Sequence, residues 1–203
     1  MISRHYQTYL YKRYFSVGTV ILCAFFLRLG LYHPYPPAWD ASVYLLMGKY
    51  LFSSGEVGLI EPFRPLLWPG ILGFFWKLGW SPIWVGRFIS IGLTLGNIFL
   101  IYKIGKKVFD EKTAVLGAWL LSLSPIYFYW GQAIFADIPA SFLGLLTVYL
   151  YLEGFYFISG IIGALAFQTK FVQLLTVLVL FGAHVSRAFT LKRIIPLLTL
   201  LKS

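Results

Sequence analysis

Apolar residues in this chain fall in blocks long enough to cross a bilayer, and most charges lie between the blocks or at their ends. Phe15–Leu31, Val85–Ile104, Ala114–Trp130 and Ile138–Leu152 are the clearest. A membrane-crossing helix needs about 20 apolar residues, so these blocks make lipid the solvent for folding. Composition agrees, with 59% hydrophobic and only 12% charged residues, against about 25% charged in soluble domains. The first block has the look of a signal-peptide core. Arg28 and the HPYPP stretch that follow offer no small-residue cleavage site, so it reads as a retained first span.

The expectation is one all-α, polytopic membrane domain over residues 1–203, with six spans and the start of a seventh. The spans are Tyr14–Tyr32, Trp84–Ile104, Thr113–Trp130, Ile138–Leu152, Phe155–Gln168 and Phe171–Val185. A seventh apolar run begins at Ile194 and stops at Ser203, so the chain reads as cut off. The two short spans meet at Lys170, because one continuous helix would place that lysine at mid-membrane. The net charge of +10 does not point to nucleic acid, since the basic residues cluster beside apolar blocks as topology determinants do. With a cytoplasmic N-terminus, ten Lys and Arg fall inside and six outside. The expected product is a multi-pass protein, in the plasma membrane if prokaryotic. Cys23, alone and within the first span, excludes a disulfide framework and a thiolate metal site.

The outer loop, residues 33–82, is too patterned to be a linker. Val43, Leu46, Met47, Tyr50 and Leu51 form a helical stripe, with Asp40 on the same side. A second helix starts near Pro65 or Pro69 and runs to Leu78. Both read as amphipathic interfacial helices, anchored by Trp39, Trp68, Trp76, Trp80 and Trp84. Gly92 with Gly96, and Gly160 with Gly163, read as small-residue faces for close helix packing.

Ionisable groups near hydrocarbon are expensive and mark sites by default. Asp40, Glu56, Glu61, Arg64, Asp137 and Lys170 all map to the outer face. Blander readings stand beside a functional one. Asp40 and Asp137 each sit at a helix start and could cap it. Arg28 and Arg87 could snorkel to headgroups, and Glu56 and Glu61 read as solvated loop residues. Lys170 is the hardest to dismiss and is the best partner for Asp40. The histidines at positions 5, 33 and 184 are scattered and imply no metal site.

A series of segments then matches a known family. DASVYLLMGKYLFSSGEVG, FRPLLWPGILGFFW, GRFISIGLTLGNIFLIYKIGKKVF, LSLSPIYFYWGQAIFADIPASFLGLLTVYLYLE and GIIGALAFQTK occur in order. Together they resemble the N-terminal half of multi-span (GT-C fold) glycosyltransferases that use polyprenyl-phosphate sugars. The dolichyl-phosphate-mannose protein mannosyltransferases and the aminoarabinose transferases are among them. The resemblance runs from about Arg28 to Lys170, and family members are usually at least twice as long. By this resemblance Asp40 is the catalytic residue, Asp137 is the acidic residue of the second outer loop, and Lys170 closes the fifth helix. Arg64, Pro65 and Pro69 match an RPPLYP-like segment. Ala41 replaces a second acidic residue common after the aspartate, and Leu66 replaces a proline.

The implied reaction transfers a sugar from a polyprenyl-phosphate carrier to an acceptor outside the membrane. Asp40 would take the acceptor proton, while Lys170, Arg64 and Arg28 would bind the departing phosphate. A carboxylate of ordinary pKa, about 4, is a weak base for an alcohol, so leaving-group stabilisation should dominate. Asp137 would position substrate or bind a divalent cation, Mg²⁺ or Mn²⁺, the one cofactor suggested. The expected partners are the lipid-linked sugar, membrane lipids and a second polypeptide supplying C-terminal spans, with no nucleic acid. Two alternatives remain open: a non-catalytic subunit that binds lipid-linked sugar, and a transporter, which would show broken helices or mid-span charge.

Overall fold

The computed structural model describes residues 16–33, 36–37 and 39–200, and side chains as far as Arg187. The expected start of the first span, the basic N-terminal residues, His5 and the last residues before Ser203 lie outside them. Every regular element among the described residues is a helix, with no strand among them. In chain order the helices are α1 Val17–Gly30, α2 Trp39–Phe52, α3 Leu67–Lys77, α4 Pro82–Val108, α5 Glu111–Leu123, α6 Pro125–Gln132, α7 Asp137–Glu153, α8 Tyr156–Phe167 and α9 Leu174–Leu200. A 3₁₀ turn, Phe171–Gln173, joins α8 to α9.

Local chemistry sets several of these boundaries. Pro82 opens α4 in the first turn, where a missing N–H costs nothing. Asp110 caps α5, its carboxylate accepting from the backbone of Lys112 at 2.8 Å and Thr113 at 3.0 Å. Gly154 ends α7 in the left-handed conformation (φ 89°), which a side chain would disfavour.

Two expectations about the spans change. Thr113–Trp130 is not continuous: α5 and α6 meet at Ser124 with a bend of 62°. Pro125 cannot donate the next helical bond and crowds the preceding turn. Ser124 then starts a new helix by accepting from Tyr127 N at 3.5 Å. The expected break before Ile194 is also missing, because α9 runs unbroken from Leu174 to Leu200. Lys192 and Arg193 are good helix formers, and charge alone does not end a helix.

Among the described residues, α4 alone is long and apolar enough to cross a membrane by itself, and the bent α5–α6 pair meets the same standard when taken together. The apolar helices Val17–Gly30, Asp137–Leu152, Tyr156–Phe167 and Phe171–Arg187 are shorter.

Helix α4 packs against α5 and α7, and α7 packs against α8. One buried cluster, Val20, Ala24, Ile98, Val115 and Ala118, joins α1, α4 and α5. A second, Ala41, Tyr44, Leu45, Trp68, Leu72, Ile134 and Ala136, joins α2 and α3 to the segment ahead of α7. Helices α2 and α3 cross at Gly48 and Gly73. A Cβ on Gly73 would lie 2.2 Å from the Gly48 carbonyl oxygen. That crossing moves the buried face of α2 to Ala41, Tyr44, Leu45, Met47 and Gly48, and leaves Leu51 exposed, not part of an apolar stripe as expected. Of the glycine pairs, Gly96 and Gly163 press against Phe142 and Val177, whereas Gly92 and Gly160 have nothing within 4 Å of an added Cβ.

The helix ends sort into two groups. Lys107 pairs with Glu153 at 2.9 Å and Lys106 with Glu111 at 3.3 Å, gathering the end of α4, the start of α5 and the end of α7. At the other end stand Asp40, Arg64, Asp137 and Lys170.

Candidate functional site

Helix α2 carries Asp40 in its first turn and Tyr44 one turn later, so both lie along one edge. Arg64 comes to that edge from a turn in which its N–H donates to the Glu61 carbonyl at 3.2 Å. Its guanidinium then uses all three nitrogens. Nη2 donates to Asp40 Oδ1 at 2.9 Å, Nη1 to the Tyr44 hydroxyl at 3.3 Å, and Nε to Glu61 Oε2. The guanidinium carbon also stands 5.2 Å from the centre of the Tyr44 ring. Burial alone would lower the Arg64 pKa, but the hydrogen bonds with Tyr44, Glu61 and Asp40 outweigh it and push it further above its usual value. Arg64 is thus a fixed cation. The Asp40 carboxylate beside it is half exposed, at 52%.

The second cluster joins the start of α7 to the turn after α8. Lys170 Nζ donates to Asp137 Oδ1 at 2.5 Å. Asp137 is the first residue of α7, while Ala136 stands at the cap position, so the carboxylate is turned to Lys170 and is not the cap. Asp40 likewise points at Arg64. The expected partnership of Lys170 with Asp40 is therefore corrected: each aspartate has its own cation.

Two long-range hydrogen bonds hold the clusters near each other. Leu67 N donates to the Gln168 carbonyl at 3.0 Å, joining the segment after Arg64 to the segment before Lys170. Trp68 Nε1 donates to the Ile134 carbonyl at 3.1 Å, fixing α3 against the approach to Asp137. Trp68 is buried and each such bond is worth about 0.5–1.5 kcal/mol net. The neighbours of the two aspartates, Ala41 and Ala136, belong to one apolar cluster. Both carboxylates border the same core.

A cavity of about 430 Å³ lies along α7 and the start of α9, next to Asp137 and Lys170 in the chain. Ser141 lines it one turn beyond Asp137, and Gln173 lines it three residues beyond Lys170. Its lining is mostly apolar. Asn97 is fully buried there, its Nδ2 donating to the Ile138 carbonyl at 3.4 Å while Oδ1 has no partner.

The other expected residues are placed differently. Arg28 is completely buried, so it does not snorkel to the headgroups, and its Nε and Nη2 have no hydrogen-bond partner there. Its Nη1 donates to the Ala24 carbonyl at 3.1 Å and its guanidinium covers Phe128 at 5.3 Å, a contact made possible by the turn into α6. Arg87 is also buried and donates to the Tyr32 hydroxyl at 3.1 Å. Among the described residues no group of three or more His, Cys, Asp or Glu is gathered for a metal. A divalent cation at Asp137 would have to take most of its oxygen ligands from a substrate phosphate.

Two site residues went unrecognised in the sequence. Glu61 was assigned to solvent, although its position three before Arg64 is a spacing at which charges meet. Tyr44 offered no signal beyond its place on an apolar face.

The family described as dolichyl-phosphate-mannose-protein mannosyltransferase matches residues 64–202. Among curated proteins, the chain is similar to the Dol-P-Glc:Glc(2)Man(9)GlcNAc(2)-PP-Dol alpha-1,2-glucosyltransferase of Mus musculus. Identity is 25% over 143 residues, covering 65% of this chain and 27% of the relative. The protein of the same description from Rattus norvegicus is 24% identical over 143 residues, with the same coverage. The matched stretch thus spans about a quarter of the length of these relatives. No solved structure matches the chain.

Proposed function

The chain belongs to the dolichyl-phosphate-mannose-protein mannosyltransferase family, and on that premise we propose that it transfers a sugar from a polyprenyl-phosphate carrier to an acceptor outside the membrane. The observation that carries this reading is the gathering of two aspartates and two cations around one apolar core, at the helix ends opposite Lys107 and Glu153. Donors and acceptor would meet there at the membrane surface. The relatives are named for a Dol-P-Glc donor, which supports a lipid-linked donor here.

In this reading Asp40 takes the proton of the acceptor hydroxyl as the hydroxyl attacks the anomeric carbon. Lys170 and Arg64 face the polyprenyl phosphate as its bond to the sugar breaks, holding the negative charge that develops. Glu61 and Tyr44 keep Arg64 in place, so that little reorganisation is needed during the reaction. Asp137 sets the position of Lys170. The cavity beyond the Asp137–Lys170 pair would take the first prenyl units of the carrier, in keeping with its mostly apolar walls. Arg28, enclosed in the bundle, has a structural part: it holds α1 against α6. Mg²⁺ or Mn²⁺ would act by neutralising a donor phosphate beside Asp137.

The proposed topology places the N-terminus in the cytoplasm, α2 and α3 flat on the outer surface and α4, α5–α6, α7, α8 and α9 across the membrane with α1. The short helices would cross by sharing a locally thin or wet region. The remaining spans of such an enzyme would come from the same polypeptide or from a second one. The bend at Ser124 is a feature that a transporter would share, but the family match favours transfer.

The test is release of polyprenyl phosphate from a radiolabelled polyprenyl-phosphate sugar in membranes containing the protein, with and without candidate acceptors. Release with label transfer supports the proposal. Tight donor binding with no release would assign the protein to a non-catalytic, lipid-sugar-binding role.

A further inference from the structure

At the end of α7 remote from Asp137, helices α7, α8 and α9 part into a wedge. Gly163 marks its closed end, where an added Cβ would lie 3.0 Å from Val177. One turn earlier on the same face, Gly160 has nothing within 4 Å, so the helices have separated. The space between them is about 200 Å³ and is walled by Thr147, Val177, Leu180 and Phe181. The polar groups of this wall are already satisfied by backbone: Thr147 donates to the Leu143 carbonyl at 2.7 Å and Ser159 to the Thr147 carbonyl at 2.8 Å. What the wedge offers a ligand is therefore apolar surface. Phe157, Ile158, Ile161 and Val179 are exposed around it, as lipid-facing residues would be.

Its mouth is different in kind. Tyr151, Tyr156 and His184 stack edge to face there, with ring centres 4.8 to 6.2 Å apart. Arg187 reaches over them, Nη1 donating to the Tyr156 hydroxyl at 3.5 Å. Among the described residues no acidic side chain lines the wedge, and Glu153, the acidic residue next in the chain, is held by Lys107 at 2.9 Å. The mouth is thus cationic and aromatic, and the floor is greasy. From Asp137 to Tyr151 is fourteen residues of helix, about 21 Å at 1.5 Å per residue, so this is not the transfer site.

We propose that the wedge between α7, α8 and α9 binds an anionic glycerophospholipid, one acyl chain entering at Gly160 and the phosphate meeting Arg187 and the tyrosine hydroxyls. A zwitterionic lipid would supply the same chain but a headgroup whose own cation competes with Arg187. Aromatic rings at the mouth suit the glycerol level of a leaflet, and a guanidinium suits phosphate oxygens.

The experiment uses the full-length protein in nanodiscs of phosphatidylcholine with or without phosphatidylglycerol, followed by native mass spectrometry of retained lipid and thermal unfolding. Phosphatidylglycerol should be retained over phosphatidylcholine and should raise the unfolding temperature. Gly160→Leu places a side chain into the wedge without a backbone clash and should abolish retention. Arg187→Gln, at an exposed position, should remove the preference for phosphatidylglycerol while leaving the fold intact. Equal retention of both lipids, or unchanged preference in Arg187→Gln, overturns the proposal. Displacement of phosphatidylglycerol by polyprenyl phosphate at equal concentration also overturns it and assigns the wedge to the carrier.

Discussion

Leu67 donates its backbone N–H to the carbonyl of Gln168 at 3.0 Å, a bond between residues 101 positions apart. Three residues before Leu67 stands Arg64, and two residues after Gln168 stands Lys170. This bond, together with that of Trp68 to the Ile134 carbonyl, ties the segments that carry the two cations proposed to receive a phosphate. If they act on the same group, their contributions are not independent. Arg64→Gln and Lys170→Gln should each lower kcat/KM for transfer by about 10-fold to 100-fold, from about 1.5–3 kcal/mol per charged hydrogen bond. The double variant should lose less than the product of the two. Strict additivity in that cycle would place the cations on separate events.

Glu61 and Tyr44 both hydrogen-bond to Arg64, and the proposed mechanism gives them no contact with the acceptor. Glu61→Gln and Tyr44→Phe should lower kcat with little change in donor KM, because they relax the orientation of Arg64 and leave its charge in place. Glu61→Asp should recover part of the loss. An effect confined to KM would show that Glu61 contacts the donor.

The Asp137–Lys170 pair is partly exposed, at 29% and 40%, so it should matter little for stability. Exposed pairs are worth about 0–1 kcal/mol. Asp137→Asn should leave the thermal midpoint nearly unchanged while transfer falls several-fold. A large loss of stability with the activity of the folded fraction intact would make the pair architectural.

The α2–α3 crossing is expected to be the sensitive point of the outer-face structure. Gly73→Ala forces a Cβ against the Gly48 carbonyl and should cost about 1–3 kcal/mol, as overpacked contacts do. Gly92→Ala, with open space around it, should be neutral or stabilising, since alanine is the better helix former by about 1 kcal/mol. Thermal unfolding in detergent compares the two directly.

Asp110 gives a pH dependence with a definite sign. The backbone N–H of Thr113, its hydroxyl and the backbone of Lys112 stabilise the carboxylate and lower its pKa in the folded chain. The stabilisation of α5 is then fully present above the unfolded pKa and is lost as pH falls through the lowered folded value. The protection of the Lys112 and Thr113 amides, taken as exchange relative to the intrinsic rate at each pH, should fall on acidification in the native protein. In Asp110→Asn, which keeps capping ability without a titrating group, that fall should be absent.

Much of the site was legible because ionisable residues are conspicuous in an apolar chain. On that ground Asp40, Arg64, Asp137 and Lys170 stand out together with Glu56 and Glu61, and the loop helices and the family resemblance then single out the first four. Their pairing does not stand out, since the partners lie 24 and 33 residues apart and either aspartate could have met either cation. Glu61 was hidden by its loop and Tyr44 by its ring, which counted as apolar while its hydroxyl held Arg64. The helix break at Ser124–Pro125 was written in the sequence, but a long apolar block masked it. Hydropathy measures where a chain is buried and is blind to where a proline has removed a hydrogen bond. The close approach at Gly48 and Gly73 was invisible for the opposite reason: glycine permits contact without specifying a partner.

The most direct measurement of the central claim is single-turnover sugar transfer by Asp40→Asn, with donor binding measured in parallel. The amide keeps the shape and a hydrogen bond acceptor for Arg64 but cannot serve as the base. The account predicts that donor binding persists while transfer falls by at least about 100-fold, the lower range of general-base contributions. Transfer at the native rate by Asp40→Asn would contradict it.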